Sequence, residues 1–421
     1  RKGIILQARL DKVPQGNSDI NHDFTTDPIK PRIDGEWVTA TGTTLGADNG
    51  IGMAAAMAVL EATDLQHGPL EMMLTVDEET GMTGAFGLKA GLLKGDILLN
   101  LDTEEEGDLC VGCAGGTNAN MKFYYDEKPV AGNVEALKIS VKGLKGGHSG
   151  VDINLERANS NKLLNRILWF AYNNLGMRLS SIDGGSLRNA IPRESFAVVT
   201  LPKENVEQFK KFIKDFTEIV INEYKNVEDT ITILVESVEL PSTIIDNVTT
   251  NNLLDAIYAT PNGVIRMSQD MKGLVETSTN LAIVKSKDGV IDVMCLLRSS
   301  VDTAKEDLEN MFASIYSLAC AESIFDGQYP GWKPNMDSPI LKEMLLAYEK
   351  QFGTKPHVSA IHAGLECGLL GGVYKNWDMI SFGPTINFPH SPAEKVNIPS
   401  VEKFWAFLTE TLKNVPVKEN A

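Results

Sequence analysis

The sequence predicts an α/β protein with a mainly parallel central sheet, interrupted by an inserted α+β domain. Three observations lead there. In the first third, continuous apolar strands alternate with helices, as in a parallel sheet covered on both faces. In the middle, strands become partly alternating and are followed by long amphipathic helices. In the last quarter, the first style returns. Pro and Gly cluster at both seams, "CAGGTN" and "YPGWKPN", which suits boundaries there. The expected division is 1–115 with 332–421 for the α/β domain and 116–331 for the insertion.

The elements follow in order. "GIILQARL" reads as a strand, "NGIGMAAAMAVLEAT" as an alanine-rich helix, and "PLEMMLTVDEE" as a second strand. "TGAFGLKAGLL" then reads as a helix and "DILLNLD" as a strand. In the insertion, "ALKISVKGLKG", "ESFAVVTLP", "DTITILVESVEL" and "GVIDVMCLLRSS" are strands. The helices "ENVEQFKKFIKDFTEIVINEY" and "TAKEDLENMFASIYSLACAES" each follow a strand of this set. Strand then helix, twice over, predicts two similar α+β halves joined by a weak repeat. The closing elements are a helix at "SPILKEMLLAYEKQFG", a strand at "DMISFGPT" and a helix at "SVEKFWAFLTETLKNV".

The chain has 421 residues, 43% hydrophobic and 23% charged, which is ordinary for a globular protein of two domains. No run is apolar for long enough to span a bilayer. The net charge of −17 argues against nucleic acid or anionic membrane as a partner. Five cysteines include one CxxC, Cys110 and Cys113 around what reads as an apolar-glycine turn. No second pair follows and no helix start suits a redox motif, so reduced, mostly buried thiols and a cytoplasmic location are expected.

Acidic residues gather where predicted strands end. Asp11 closes the first, Asp48 lies in "LGADNGIG", Glu78 and Glu79 follow "MLTVD", and Asp102 follows "ILLNL", with Glu104, Glu105 and Glu106 behind it. Carboxyl ends of strands line the ligand crevice of open α/β sheets. Bringing several carboxylates together there costs free energy unless a cation compensates them. A single such cluster is more often solvated surface; four together favour a divalent metal site. Among six histidines, His390 lies in the Gly- and Pro-framed loop "SFGPTINFPHSPAEKV", and His148 in the glycine-flanked turn "KGGHSGVDI". "GADNGIG" lacks the spacing and lysine of a phosphate loop, and no GxSxG elbow is present.

Seven stretches in order, "GTTLGADNGIG", "DEETGM", "LDTEEEG", "KGGHSG", "RNAIPRES", "IHAGLECG" and "FGPTINFPHSPAEKV", together resemble the Xaa-His dipeptidase branch of the co-catalytic zinc peptidases. That family includes peptidase T, peptidase V and carboxypeptidase G. The resemblance implies a catalytic domain holding two zinc ions and a lid domain of dimerisation type closing over them. It implies that Asp48 bridges the two ions, that Glu79 and His390 complete one site, and that Asp102 serves the other. It gives Glu78 the role of general base toward a metal-held water, and Asp11 that of orienting a ligand histidine two residues earlier. From the lid, it implies that His148 stabilises the oxyanion and that Asn189 and Arg298 hold the substrate. His362, Gly364 and Glu366 would shape the peptide pocket. The implied substrate is a dipeptide, most naturally with C-terminal histidine, and the implied assembly extends to a homodimer. The family's sequence begins upstream of Arg1, so the chain reads as N-terminally incomplete.

One position departs from the pattern. The family's first motif reads Gly-His-x-Asp; here it is Ala8-Arg9-Leu10-Asp11. A guanidinium offers a metal no lone pair. Arg9 either points inward to pair with Asp48 and Asp102 in place of the second cation, or swings out and leaves a weak second site, or is an altered residue in an otherwise ordinary enzyme. The expected activity is dipeptide hydrolysis, reduced if one zinc is lost. The alternatives are another peptidase of this family and a non-catalytic peptide-binding homologue with an incomplete metal site.

Overall fold

The computed structural model describes residues 1–418. Two compact units emerge, Arg1–Cys113 with Gly331–Ala421, and Ala114–Pro330. The first is built on a six-stranded sheet. Its opening strands are β1 (Ile4–Arg9), β2 (Leu70–Thr75), β3 (Ile97–Asn100) and β4 (Asp108–Cys113). β1 lies between β2 and β3, parallel to both. The late strand Asp378–Ser381 is parallel to β3 and bridges antiparallel to β4, and His357–Ile361 runs parallel to β4 at the edge. Every residue of β1 and β3 is buried, as strands covered on both faces must be. The α/β class with a mainly parallel sheet is therefore as expected.

Helix α1 (Ala47–Glu61) packs on β1. Its first turn is irregular: Asp48 and Asn49 are non-helical, and the peptide joining them is cis. "TGAFGLKAGLL" differs from expectation, since only α2 (Thr83–Phe86) is helical. Gly84, Gly87 and Gly91 dilute its helix propensity, and Gly91 takes φ +89°, which no helix accommodates. "CVGC" is likewise no turn but the end of buried β4. Burial raises the Cys110 thiol to about 11 and the Cys113 thiol to about 12.

The second unit carries a nine-stranded sheet. Its strands are β5 (Gly115–Tyr124), β6 (Val134–Lys142), β7 (Arg178–Gly184), β8 (Ser195–Pro202), β9 (Thr232–Ser237), β10 (Val275–Lys287), β11 (Val290–Ser299) and β12 (Glu322–Tyr329), with Gly263–Met267 beside β10. Its helices are α3 (Ser160–Leu175), α4 (Val206–Tyr224), α5 (Asn247–Ala259) and α6 (Asp302–Leu318). The order β9-β6-β8-β7-β10-β11-β5-β12 is a mirror arrangement of two β-α-β-β-α-β units. One is β6-α3-β7-β8-α4-β9. The other is β5-α5-β10-β11-α6-β12, with the first inserted after β5. α4 presents Val206, Phe209, Ile213, Phe216 and Val220 to the core at helical spacing.

The closing helices of the first unit, Pro339–Phe352 and Ile398–Lys413, pack together. Ser338 caps the former: its Oγ accepts from Leu341 N at 3.0 Å and donates to Asp378 Oδ1 at 2.6 Å. Asp378 Oδ2 accepts from Ile340 N at 3.0 Å, tying that helix start to the sheet. Ser338→Ala removes the cap and is expected to lower stability by about 0.5–2 kcal/mol, read from the urea unfolding midpoint.

Candidate metal centre

β1 delivers Arg9 at its carboxyl end, buried to 5% exposure. The guanidinium turns into the acidic cluster. Nη2 donates to Asp48 Oδ1 and Nη1 to Glu79 Oε1, both in short contacts. Nε donates to Asp102 Oδ2 at 2.9 Å and lies 3.5 Å from Glu78 Oε2. Burial alone would lower the Arg9 pKa; Asp102, Asp48, Glu78 and Glu79 outweigh it and hold the group charged. Four carboxylates from three connecting segments thus converge on one cation.

Asp48 and Glu79 divide their oxygens. Asp48 Oδ2 and Glu79 Oε2 lie 3.1 and 3.2 Å from His390 Nε2. His390 is half exposed, on a loop where it takes φ +60°.

The Asp48 segment is fixed by residues the sequence did not single out. Glu394, 2% exposed, accepts from Leu45 N at 2.7 Å, Gly46 N at 2.9 Å and Asp48 N at 3.2 Å. It sits four residues beyond His390, so one loop supplies a histidine and orders the backbone of its carboxylate neighbour. Asn49 Nδ2 donates to Leu101 O at 2.5 Å, and its Oδ1 accepts from Arg9 N at 3.2 Å. Gly52 permits this approach, because a Cβ there would collide with Leu101 O and the Asn49 amide. Glu104 shares a hydrogen bond with Asp48. Burial first, then the Asp48 charge, raise its pKa to about 8.

Burial also raises Glu78 to about 7, opposed by Arg9 and aided by Glu79. Asp102 rises well above the carboxylate range by burial, and its Oδ1 meets no donor among the described residues. Asp11, expected to orient a histidine at position 9, instead accepts from Glu79 N at 3.0 Å and so places that carboxylate. Glu366 is buried below the cluster: Gln7 Nε2 and Thr75 Oγ1 each donate to its Oε2 at 2.8 Å. Asn100 then donates to Gln7, and Ser381 to Asn100, in a buried polar chain across the sheet. Gly364 precedes Glu366 on the same segment, and His362 is buried on it.

His148, Asn189 and Arg298 belong to the second unit. His148 pairs with Ala190 in a two-stranded ribbon, and Ser149 N donates to Asn189 O at 2.8 Å. Asn280, on β10, donates to Arg188 O at 3.2 Å and Ala190 O at 2.8 Å, bracketing Asn189. His148 Nδ1 accepts from Gly150 N and Val151 N, both at 3.1 Å. That leaves Nε2 as the donor of the neutral ring. Burial, then the Arg298 charge, lower the His148 pKa and favour that neutral form. Arg298 is 5% exposed; Nη1 donates to Tyr329 Oη at 3.1 Å, while Nε meets no acceptor among the described residues.

Asp48, Glu79 and His390 each offer a ligand atom, all within 4.8 Å of one another. A tetrahedral ion with bonds of about 2 Å spaces its ligands about 3.3 Å apart, near the spacings seen here. The trio therefore fits one divalent ion. A second ion between Asp48 and Asp102 does not fit, because the guanidinium lies there.

The model of peptidase family M20/M25/M40 matches residues 5–414. The chain belongs to that family. A relative in Escherichia coli (strain K12), cytosol non-specific dipeptidase, is 47% identical over 418 residues, 99% of this chain and 86% of its own length. The crystal structure of aminoacylhistidine dipeptidase from Vibrio alginolyticus is 48% identical, covers 99% of this chain and 85% of that one, and superposes with a TM-score of 0.95. Aminopeptidase PepT from Bacillus cereus, at 14% identity and a TM-score of 0.52 over 98% of this chain and 80% of its own, shares the fold alone. Close homologues of this M20 chain are thus dipeptidases, hydrolases of peptide bonds.

Glu394 tests how the M20 centre is assembled. Glu394→Ala strands three backbone N–H groups beside Asp48. It is expected to weaken divalent-metal binding about 10–100-fold, measured by competition with a chromogenic chelator.

Proposed function

We propose that this chain is a zinc-dependent dipeptidase acting on dipeptides, with Xaa-His substrates among them. The observation that carries the reading is the Asp48–Glu79–His390 trio with Glu78 beside it. A divalent ion held there supplies Lewis acidity that polarises the scissile carbonyl and acidifies water. A two-carboxylate, one-histidine donor set suits zinc.

The chain's own residues do the rest. Glu78 takes a proton from the attacking water at its carboxylate and passes it to the leaving amine. Its nearest cation is Arg9, which favours the carboxylate form. Asp11 and Glu394 fix the backbones of Glu79 and Asp48. We assign His148 the oxyanion; its two accepted backbone hydrogen bonds leave Nε2–H free to donate. Arg298 takes the substrate carboxylate, with a buried Nε left for it, and Asn189 beside the His148 ribbon takes a substrate amide. His362, Gly364 and Glu366 shape the peptide pocket.

The Vibrio relative's name favours a C-terminal histidine; the Escherichia coli relative's favours a broader range. The latter is named a cytosol enzyme, and we place this chain in the cytoplasm on that ground. Among the described residues no helix is long and apolar enough to cross a membrane. A homodimer stays in this reading on the family resemblance alone.

Arg9 favours a second reading, a peptide-binding homologue without turnover. A panel of Xaa-His and other dipeptides, assayed with zinc, separates the two. We expect hydrolysis that chelation by EDTA abolishes. Glu78→Gln should lower kcat about 10²–10⁴-fold while zinc content stays unchanged. Dipeptide binding by calorimetry with no cleavage at saturating zinc would sink the enzyme reading.

A further inference from the structure

We propose that Arg9 is itself the second cation of this centre, so that the chain takes one divalent ion, on Asp48, Glu79 and His390. The inference rests on the metal-dependent reading above and changes its stoichiometry.

The argument is geometric. Each guanidinium nitrogen faces a different carboxylate: Nη2 faces Asp48, Nη1 faces Glu79, and Nε faces Asp102 at 2.9 Å. These acids come from the start of α1, the segment after β2 and the segment after β3. One planar group thus spans the loops that two ions would otherwise join. Asp48 is the decisive residue. A carboxylate bridging two cations gives one oxygen to each. Here Oδ1 goes to the guanidinium, while Oδ2 faces His390 at 3.1 Å. Glu79 divides its oxygens the same way, Oε1 to Arg9 and Oε2 toward His390 at 3.2 Å.

Charge points the same way. Asp48, Glu78, Glu79 and Asp102 all lie within 4 Å of the guanidinium, and the group is 5% exposed. A buried arginine in such contact cannot yield its place without stranding its own charge. A second divalent ion would have to displace it and meet a permanent positive charge close by. A single ion would be held by Asp48, Glu79 and His390, whose ligand atoms remain together on the His390 side.

The test counts metal. The purified chain and Arg9→His are equilibrated with zinc sulfate, desalted and analysed by elemental mass spectrometry, with folding checked by circular dichroism. We expect one zinc in the parent chain and two in Arg9→His. Two zinc ions in the parent, none in the parent, or equal counts in both proteins would each overturn the proposal. If Arg9→His does not fold, Asp102→Asn replaces it. Asp102 serves Arg9 in this scheme, so that variant should keep its single zinc, and loss of the zinc would overturn the proposal. The dipeptidase reading fails separately: one zinc in the parent, two in Arg9→His and no cleavage by either would remove the activity and leave the count standing.

Discussion

Everything in the first unit's centre depends on how like charges are kept together. Glu78, Glu79 and Asp102 follow strands of the parallel sheet and Asp48 opens the helix that packs on β1, so all four meet at one place. Left alone they repel, and burial penalises each ionised form further. The raised pKa values of Glu78 and Asp102 record that penalty. One guanidinium, anchored at the end of a fully buried strand, holds them. Its charge persists at any physiological pH, so part of the compensation that metal sites draw from solution is here covalently attached to the chain.

A second layer of residues makes the arrangement rigid. Glu394 and Asn49 act on backbone rather than on a ligand atom. They fix the irregular entry to α1, and Gly52 lets that entry come against Leu101 O. Asp11 does the same for Glu79. Beneath them, Gln7 and Thr75 both donate to Glu366 Oε2 in a buried hydrogen-bonded set, while Glu366 Oε1 meets no donor among the described residues. The loops of the site are therefore tied down by the Glu394 and Asp11 carboxylates, which accept from backbone N–H groups.

The second unit shows how a repeat can be plain in structure and faint in sequence. Its two β-α-β-β-α-β halves share strand order, yet one is inserted inside the other. Packing demands only the alternation of buried and exposed positions, which many residues satisfy. Identity between the halves is not needed for either to form. His148 is set by local means, glycines and a two-residue ribbon, whereas Arg298 is set by its place on the long hairpin β10–β11.

By itself the sequence determined the α/β class, the interruption by an α+β insertion, and the candidates Asp48, Glu79 and His390. Local pattern offered acidic clusters and a histidine framed by Gly and Pro, and the family resemblance picked these three from among them. It also showed that Arg9 stands where a ligand histidine was expected. The tertiary structure alone decided where that arginine points. A side chain of this length reaches either solvent or cluster, and nothing in "LQARLDKVP" selects between them. The choice is made by carboxylates some forty to ninety residues away in sequence. Glu394 was unreadable for the same reason, since its role exists only once distant loops meet. "TGAFGLKAGLL" failed differently: apolar spacing suggested a helix, and glycine backbone freedom stopped it after one turn.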